Sequence, residues 1–293
     1  MGTSASSKGP GGGVPMVPPW VPPIPPMPPE PEPDGEGAGA PDGNGQNGPA
    51  SESPAAPQQP AQTQPSPLSP AGRFLGARLN LGKFASGGGD RRHMQRGLRD
   101  YVKKGYGGRA TAVRRFGGTA ATAGNLYGAL SNIAGGQGAP GSPLDPTLLA
   151  GRSAREVMDA IVEAVRPADG TQDAEASRAA IKDALSELLT VFPDADLLNL
   201  TEDQRGTAIE RFVAIDVHQR AMLDIGKAIQ DKAPTATVGL ARLKEVKEYI
   251  KQTVAAAFRK LRSTGHRVTT GRVNQVVRAA LDETFQVFEA YAR

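Results

Sequence analysis

TEDQRGTAIERFVAIDVHQRAMLDIGKAIQDKAP, residues 201–234, reads as one long helix bounded at both ends. Thr201 followed by Gln204 forms a capping box, in which the hydroxyl accepts from the N3 amide and the glutamine side chain reaches back. Ile209, Phe212, Val213, Ile215, Met222, Ile225 and Ile229 then recur at the helical period, an apolar stripe that demands a partner. Pro234 lacks an N–H and closes the helix.

The same signals continue outward. Towards the C-terminus, Leu243, Val246, Ile250, Val254, Ala257 and Leu261 predict a second amphipathic helix. Val273, Val276, Val277, Ala280, Leu281, Phe288 and Tyr291 predict a last one. Towards the N-terminus, Ile181, Ala184, Leu185, Leu188 and Phe192 mark a helix that stops at Pro193. Ser153 and Glu156 form another capping box, opening a helix through Val157, Ile161, Val162 and Val165 that Pro167 and Gly170 end. Asp145-Pro146 reads as an N-cap and first helical position. No segment alternates with period two. A bundle of five main helices is therefore expected over residues 145–293.

Upstream the pattern weakens. Residues 73–144 form a basic, Gly/Arg-rich transitional region, where Phe74, Leu75, Leu79, Leu81 and Phe84 recur among Arg73, Arg78 and Lys83. Asp90 is placed to cap a short helix reaching about Lys104, a glycine-rich break spans Gly105 to Gly108, and a second helix is expected from Thr119 to Ile133. The pattern leaves open whether this region folds with the bundle. Residues 1–72 are a different polymer: 20 of the 26 prolines lie between Pro10 and Pro70. Such a segment buries too little apolar surface to offset its conformational entropy. The expected fold class is mostly α, a long disordered Pro/Gly-rich N-terminal arm followed by a C-terminal helical bundle.

The net charge of +4 conceals an asymmetry. Residues 1–72 carry one lysine against six carboxylates, and residues 73–115 carry twelve Lys/Arg against Asp90 and Asp100. The absence of cysteine excludes disulfides, zinc-thiolate sites and thiol nucleophiles. His93, His218 and His266 are far apart, so no metal site is expected. Nucleophile-elbow, zinc-protease and P-loop motifs are missing, so neither a catalytic residue nor a cofactor is expected. No run approaches the roughly 20 apolar residues of a membrane helix, and no apolar signal region opens the chain. A cytoplasmic protein without membrane contact is the expectation.

Two features invite function. In the basic block, Arg91, Arg92, Arg96, Arg99, Lys103 and Lys104 suit either phosphates, with Tyr101 and Tyr106 interleaved for stacking, or an acidic protein surface. With no base-reading motif, any nucleic-acid contact would be non-specific. The other feature is the N-terminus. Gly2 is small enough to permit removal of Met1, and its α-amine, with a pKa near 7.7–8.0, is about one third neutral at pH 7.5. A lysine is neutral there to only about one part in a thousand. Further along, VPPWVPPIPPMPP favours polyproline II, whose period of three puts Val14, Val17 and Trp20 on one edge. An unfolded tail has no internal use for such an edge.

The opening, with Met1-Gly2-Thr3-Ser4, Gly9-Pro10, Val14-Pro15 and Val17-Pro18-Pro19-Trp20, resembles the start of the QatB family of bacterial Qat antiphage defence systems. Beyond about the first 23 residues only the layout is similar. The resemblance implies a non-enzymatic component that works beside an ATPase (QatA), a QueC-like enzyme (QatC) and a TatD-like nuclease (QatD). It implies that Gly2 accepts a 7-deazaguanine-type nucleobase from the QueC-like partner. Thr3 and Ser4 would then enter the partner's channel, while Val14, Val17, Pro18, Pro19 and Trp20 dock along its surface. The alternatives are a scaffold for the ATPase with Gly2 unmodified, and a non-specific nucleic-acid tether built on residues 91–115.

Overall fold

The computed structural model describes residues 72–291. The expectations for residues 1–71, including Gly2, Thr3, Ser4, Val14, Val17, Pro18, Pro19 and Trp20, lie outside the described residues. Within them there are eleven α-helices, two π-helical segments and no strand.

Five helices dominate the part from residue 145 onward: α6 (Ala154–Val165), α7 (Gln172–Val191), α8 (Glu202–Ala221), α10 (Ala236–Ser263) and α11 (Val273–Glu289). Both capping boxes form: Ser153 with Glu156, and Thr201 with Gln204. Asp145 caps a helix as expected, but that helix, α5 (Pro146–Leu149), lasts one turn before Gly151 adopts a φ of 75°. The stretch from residue 202 to 232 is continuous but not uniform. α8 widens into a π segment, Met222–Gly226, before α9 (Lys227–Lys232).

The basic region folds with the bundle. α1 (Leu75–Ser86) and α2 (Arg91–Asp100) form an antiparallel hairpin, and α2 runs into the other π segment, Tyr101–Gly105. α3 (Arg109–Arg115) and α4 (Gly117–Ala134) follow. α8 is the hub, packing on α4, α7 and α10, while α11 packs on α3, α4 and α10 and α1 lies against α9. Phe84, Leu98, Leu126, Phe212, Val254 and Phe285 are all fully buried in one core. Burying a side chain of this kind contributes roughly 1.5–3 kcal/mol, and α1, α2 and α4 supply their share of such residues.

Glycines line the contact of α1 with α2, where a Cβ on Gly97 would lie 2.8 Å from Leu81 Cγ. A Cβ on Gly76 of α1 would lie 2.8 Å from Asp100 Oδ2 at the end of α2. A side chain at Gly76 would displace the Asp100 carboxylate.

Candidate functional site

The six basic residues singled out in the sequence divide between separate surfaces. Asp90 caps α2 by accepting from the Arg92 amide at 2.9 Å. Arg91 and Arg92 are exposed in the first turn of α2. Arg91 lines a depression against α10 with Met94, Glu245, Glu248 and Tyr249, where this chain already supplies the acidic groups. Lys103 is exposed and stands apart from these cavities.

Arg96, Arg99 and Lys104 come together. With Asn80 and Asp100 they line a surface cavity of about 500 Å³ between α1, α2 and the first π segment. The Lys104 ammonium and the Asn80 amide each donate to Asp100 Oδ2 at 3.1 Å. Asp100 Oδ1 is buried without a hydrogen-bond partner. Arg99 is only 8% exposed, yet among the described residues its guanidinium has neither a hydrogen bond nor an ion pair. Asn80 and Asp100 are the members of this cavity that sequence reasoning missed. The i, i+4 spacing of Arg96, Asp100 and Lys104 was the available signal, because it puts all three on one helical face.

The tyrosines turn inward. Tyr101 is 1% exposed and Tyr106 is half-buried, so neither offers a face on which a base could stack. Instead their hydroxyls donate to Asp224 Oδ2 at 2.9 and 3.1 Å, joining the two π segments through side chains. Phe74 stacks on Tyr101 with ring centroids 5.2 Å apart, and the Arg73 guanidinium lies 4.6 Å from the Tyr106 ring centre. Arg73 also donates to the Gly105 carbonyl at 2.6 Å, and Arg78 to the Asp224 carbonyl at 2.7 and 3.0 Å. Each π segment thus has a carbonyl held by an arginine, and these two arginines of the basic region act as struts. Burial raises the Tyr101 phenol well above its ordinary value, pushes that of Tyr106 up to about 12 and raises the Asp224 carboxyl. Both phenols therefore stay protonated and donate across the physiological range.

A second polar cluster lies at the hub. Asp216 is fully buried and accepts from Thr119 of α4 at 2.6 Å, Ser177 of α7 at 2.7 Å and Arg220 at 3.0 Å. Arg220 continues to Asp173 at 3.2 Å. The signal for it was present in the sequence: Asp216 follows Phe212 by four residues and Val213 by three, which puts a carboxylate on the core face.

His218 is mostly buried, and its Nε2 lacks a partner. Burial, with Lys247 and Lys251 nearby, holds its pKa down to about 4. An unfolded chain takes up that proton near pH 6.5, so below 6.5 the unfolded state binds the extra proton and stability falls until about pH 4. At pH 5 the loss amounts to about 2 kcal/mol. Urea unfolding at pH 7 and pH 5 should show His218→Gln losing less stability on acidification than the parent by about that amount. Equal losses would contradict the assignment.

Among the described residues no helix is long and apolar enough to cross a membrane, and no group of three or more His, Asp or Glu could hold a metal ion. A family model described as QatB, Qat anti-phage system associated protein QatB, matches residues 107–288. No curated protein and no solved structure matches the chain. The chain belongs to the QatB family, and with it to the Qat anti-phage system.

Proposed function

We propose that this member of the QatB family is the acceptor protein of its Qat system. After loss of Met1, the Gly2 amine attacks a 7-deazaguanine-type carboxylate that the QueC-like partner, QatC, has activated with ATP. The N–C bond of an amide forms as the bond from the carboxyl carbon to the activating group breaks, and the neutral amine gives up one of its two protons. The reading rests on one observation, the construction of the opening sequence. Gly2, Thr3 and Ser4 are slim enough to enter a channel. Val14, Val17, Pro18, Pro19 and Trp20 supply a preordered apolar edge for docking outside it. A polyproline II edge binds at reduced entropic cost, because proline has already restricted the backbone. In this reading the helical bundle docks partner proteins of the system, the ATPase QatA and the nuclease QatD among them, and itself performs no chemistry.

Mass spectrometry of the N-terminal peptide tests the reading. The chain is co-expressed with the other genes of its system, with and without the QueC-like enzyme. An added mass on Gly2 is expected only when that enzyme is present, and none on a Gly2→Pro variant. An unmodified Gly2 beside an active QueC-like enzyme would replace the acceptor reading by the scaffold reading.

A further inference from the structure

The cavity formed by Arg96, Arg99 and Lys104 is electrostatically incomplete. Its three cations and the single carboxylate of Asp100 leave a net charge of +2. Lys104 is the only one of the three with an acidic partner among the described residues. Arg99 is the informative member. Its side chain is 8% exposed and without a partner, and none of its nitrogens is sealed from solvent, so what the side chain offers to the outside is its charged end at the cavity. The opposite deficit sits beside it, in the buried and unpartnered Asp100 Oδ1. Oδ1 is sealed from solvent, so the ligand of the cavity is selected by its cations and must carry negative charge for the arginines.

We infer that this cavity is a binding site for a terminal phosphate group, a phosphate monoester rather than a phosphodiester. A monoester carries about −1.5 to −2 near pH 7 and matches the charge of the cavity. It also has three free oxygens for Arg96, Arg99 and Lys104, since arginine forks pair well with such groups. A phosphodiester within a strand brings one charge per phosphate and requires a row of cations along the chain. The structure interrupts any such row, because Arg91 faces Glu245 and Glu248 across a different depression and Lys103 stands apart. The site would accept either a mononucleotide or the 5′-phosphate end of a nucleic acid. The inference is independent of whether Gly2 is modified.

Calorimetric titration of the full chain with adenosine monophosphate, with adenosine as control, tests it. Binding of the monophosphate but not of adenosine is expected, weakened about tenfold or more by Arg99→Met, since charge-assisted hydrogen bonds are lost. Arg99→Met retains the unbranched apolar stem and removes an unpaired charge, so it should melt no lower than the parent. Arg96→Gln, on the partly exposed rim, provides a second variant with the same expected direction. A 5′-phosphorylated oligonucleotide compared with its 5′-hydroxyl form separates the sources. Dependence on the 5′-phosphate identifies a nucleic-acid end as a ligand of this same site. Equal binding of both forms, unaffected by Arg99→Met, would overturn the assignment in favour of backbone contact. So would the absence of any monophosphate binding to a folded protein.

Discussion

Replacing Asp216 by alanine should lower the unfolding free energy by about 3–5 kcal/mol. The carboxylate is fully buried at the hub and receives hydrogen bonds from α4, α7 and its own helix α8. Removing it leaves the Arg220 guanidinium, whose side chain is 13% exposed, with only the exposed Asp173 as acidic partner, and leaves the buried Thr119 and Ser177 hydroxyls without their acceptor. The cost comes mainly from these orphaned groups rather than from the lost attraction. Two further variants separate the causes. Asp216→Asn retains the shape, and should fall between the parent and the alanine variant. Asp216→Leu with Arg220→Met removes both charges and should cost much less than the two single changes added together. Denaturant unfolding with a double-mutant cycle measures this. A loss below about 1 kcal/mol for Asp216→Ala would mean that the network contributes little to stability.

Phe285→Ala should cost a similar amount, about 3–5 kcal/mol, through a different cause. The ring is fully buried on α11, with centroid distances of 5.1 Å to Phe116 and 6.2 Å to Phe288. Phe116 sits at the junction of α3 and α4, so this aromatic contact fastens the basic region to the last helix. Polar contacts run the same way, from the Arg109 amide to Glu289 at 2.8 Å and from its guanidinium to Asp282 at 3.0 Å. These are partly exposed and cannot replace the lost ring, because surface pairs contribute only about 0–1 kcal/mol. The damage should therefore be local before it is global. Amide hydrogen exchange is expected to accelerate first over residues 109–116, while α7 retains its protection. Uniform acceleration across both would show that α3 unfolds only with the whole bundle.

Much of the fold was legible in side-chain chemistry that acts over a few residues. The hydroxyls of Ser153 and Thr201, the carboxylates of Asp90 and Asp145 and the rings of Pro167, Pro193 and Pro234 act on their own neighbouring backbone. Sequence spacing alone therefore locates those helix ends. α1 was harder to read. Leu75 and Leu79 are 58% and 59% exposed, while Ala77, Leu81 and Phe84 are buried, so its apolar residues do not form one clean stripe. The π segments left no local trace. Residues 91–104 read as ordinary helix, and the widening after Asp100 coincides with Tyr101 and Tyr106 reaching Asp224, more than a hundred positions away.

The candidate cavity divides in the same way. Its cations were visible in the composition, but a count of arginines cannot distinguish struts from ligand-binding groups. Arg73 and Arg78 are taken up by backbone carbonyls, Arg91 faces glutamates, and Arg99 alone of these is buried without a partner. The sequence by itself determined that the chain from residue 145 onward is a helical bundle, and that an unusually basic region precedes it, because periodicity, capping and charge are properties of neighbours along the chain. Only the tertiary structure decided that the basic region shares the bundle's core and that Arg96, Arg99 and Lys104 meet in one cavity. Burial and charge pairing there depend on which helices pack against α2, and in particular on α1, which brings Asn80 and the bare Cα of Gly76 to Asp100.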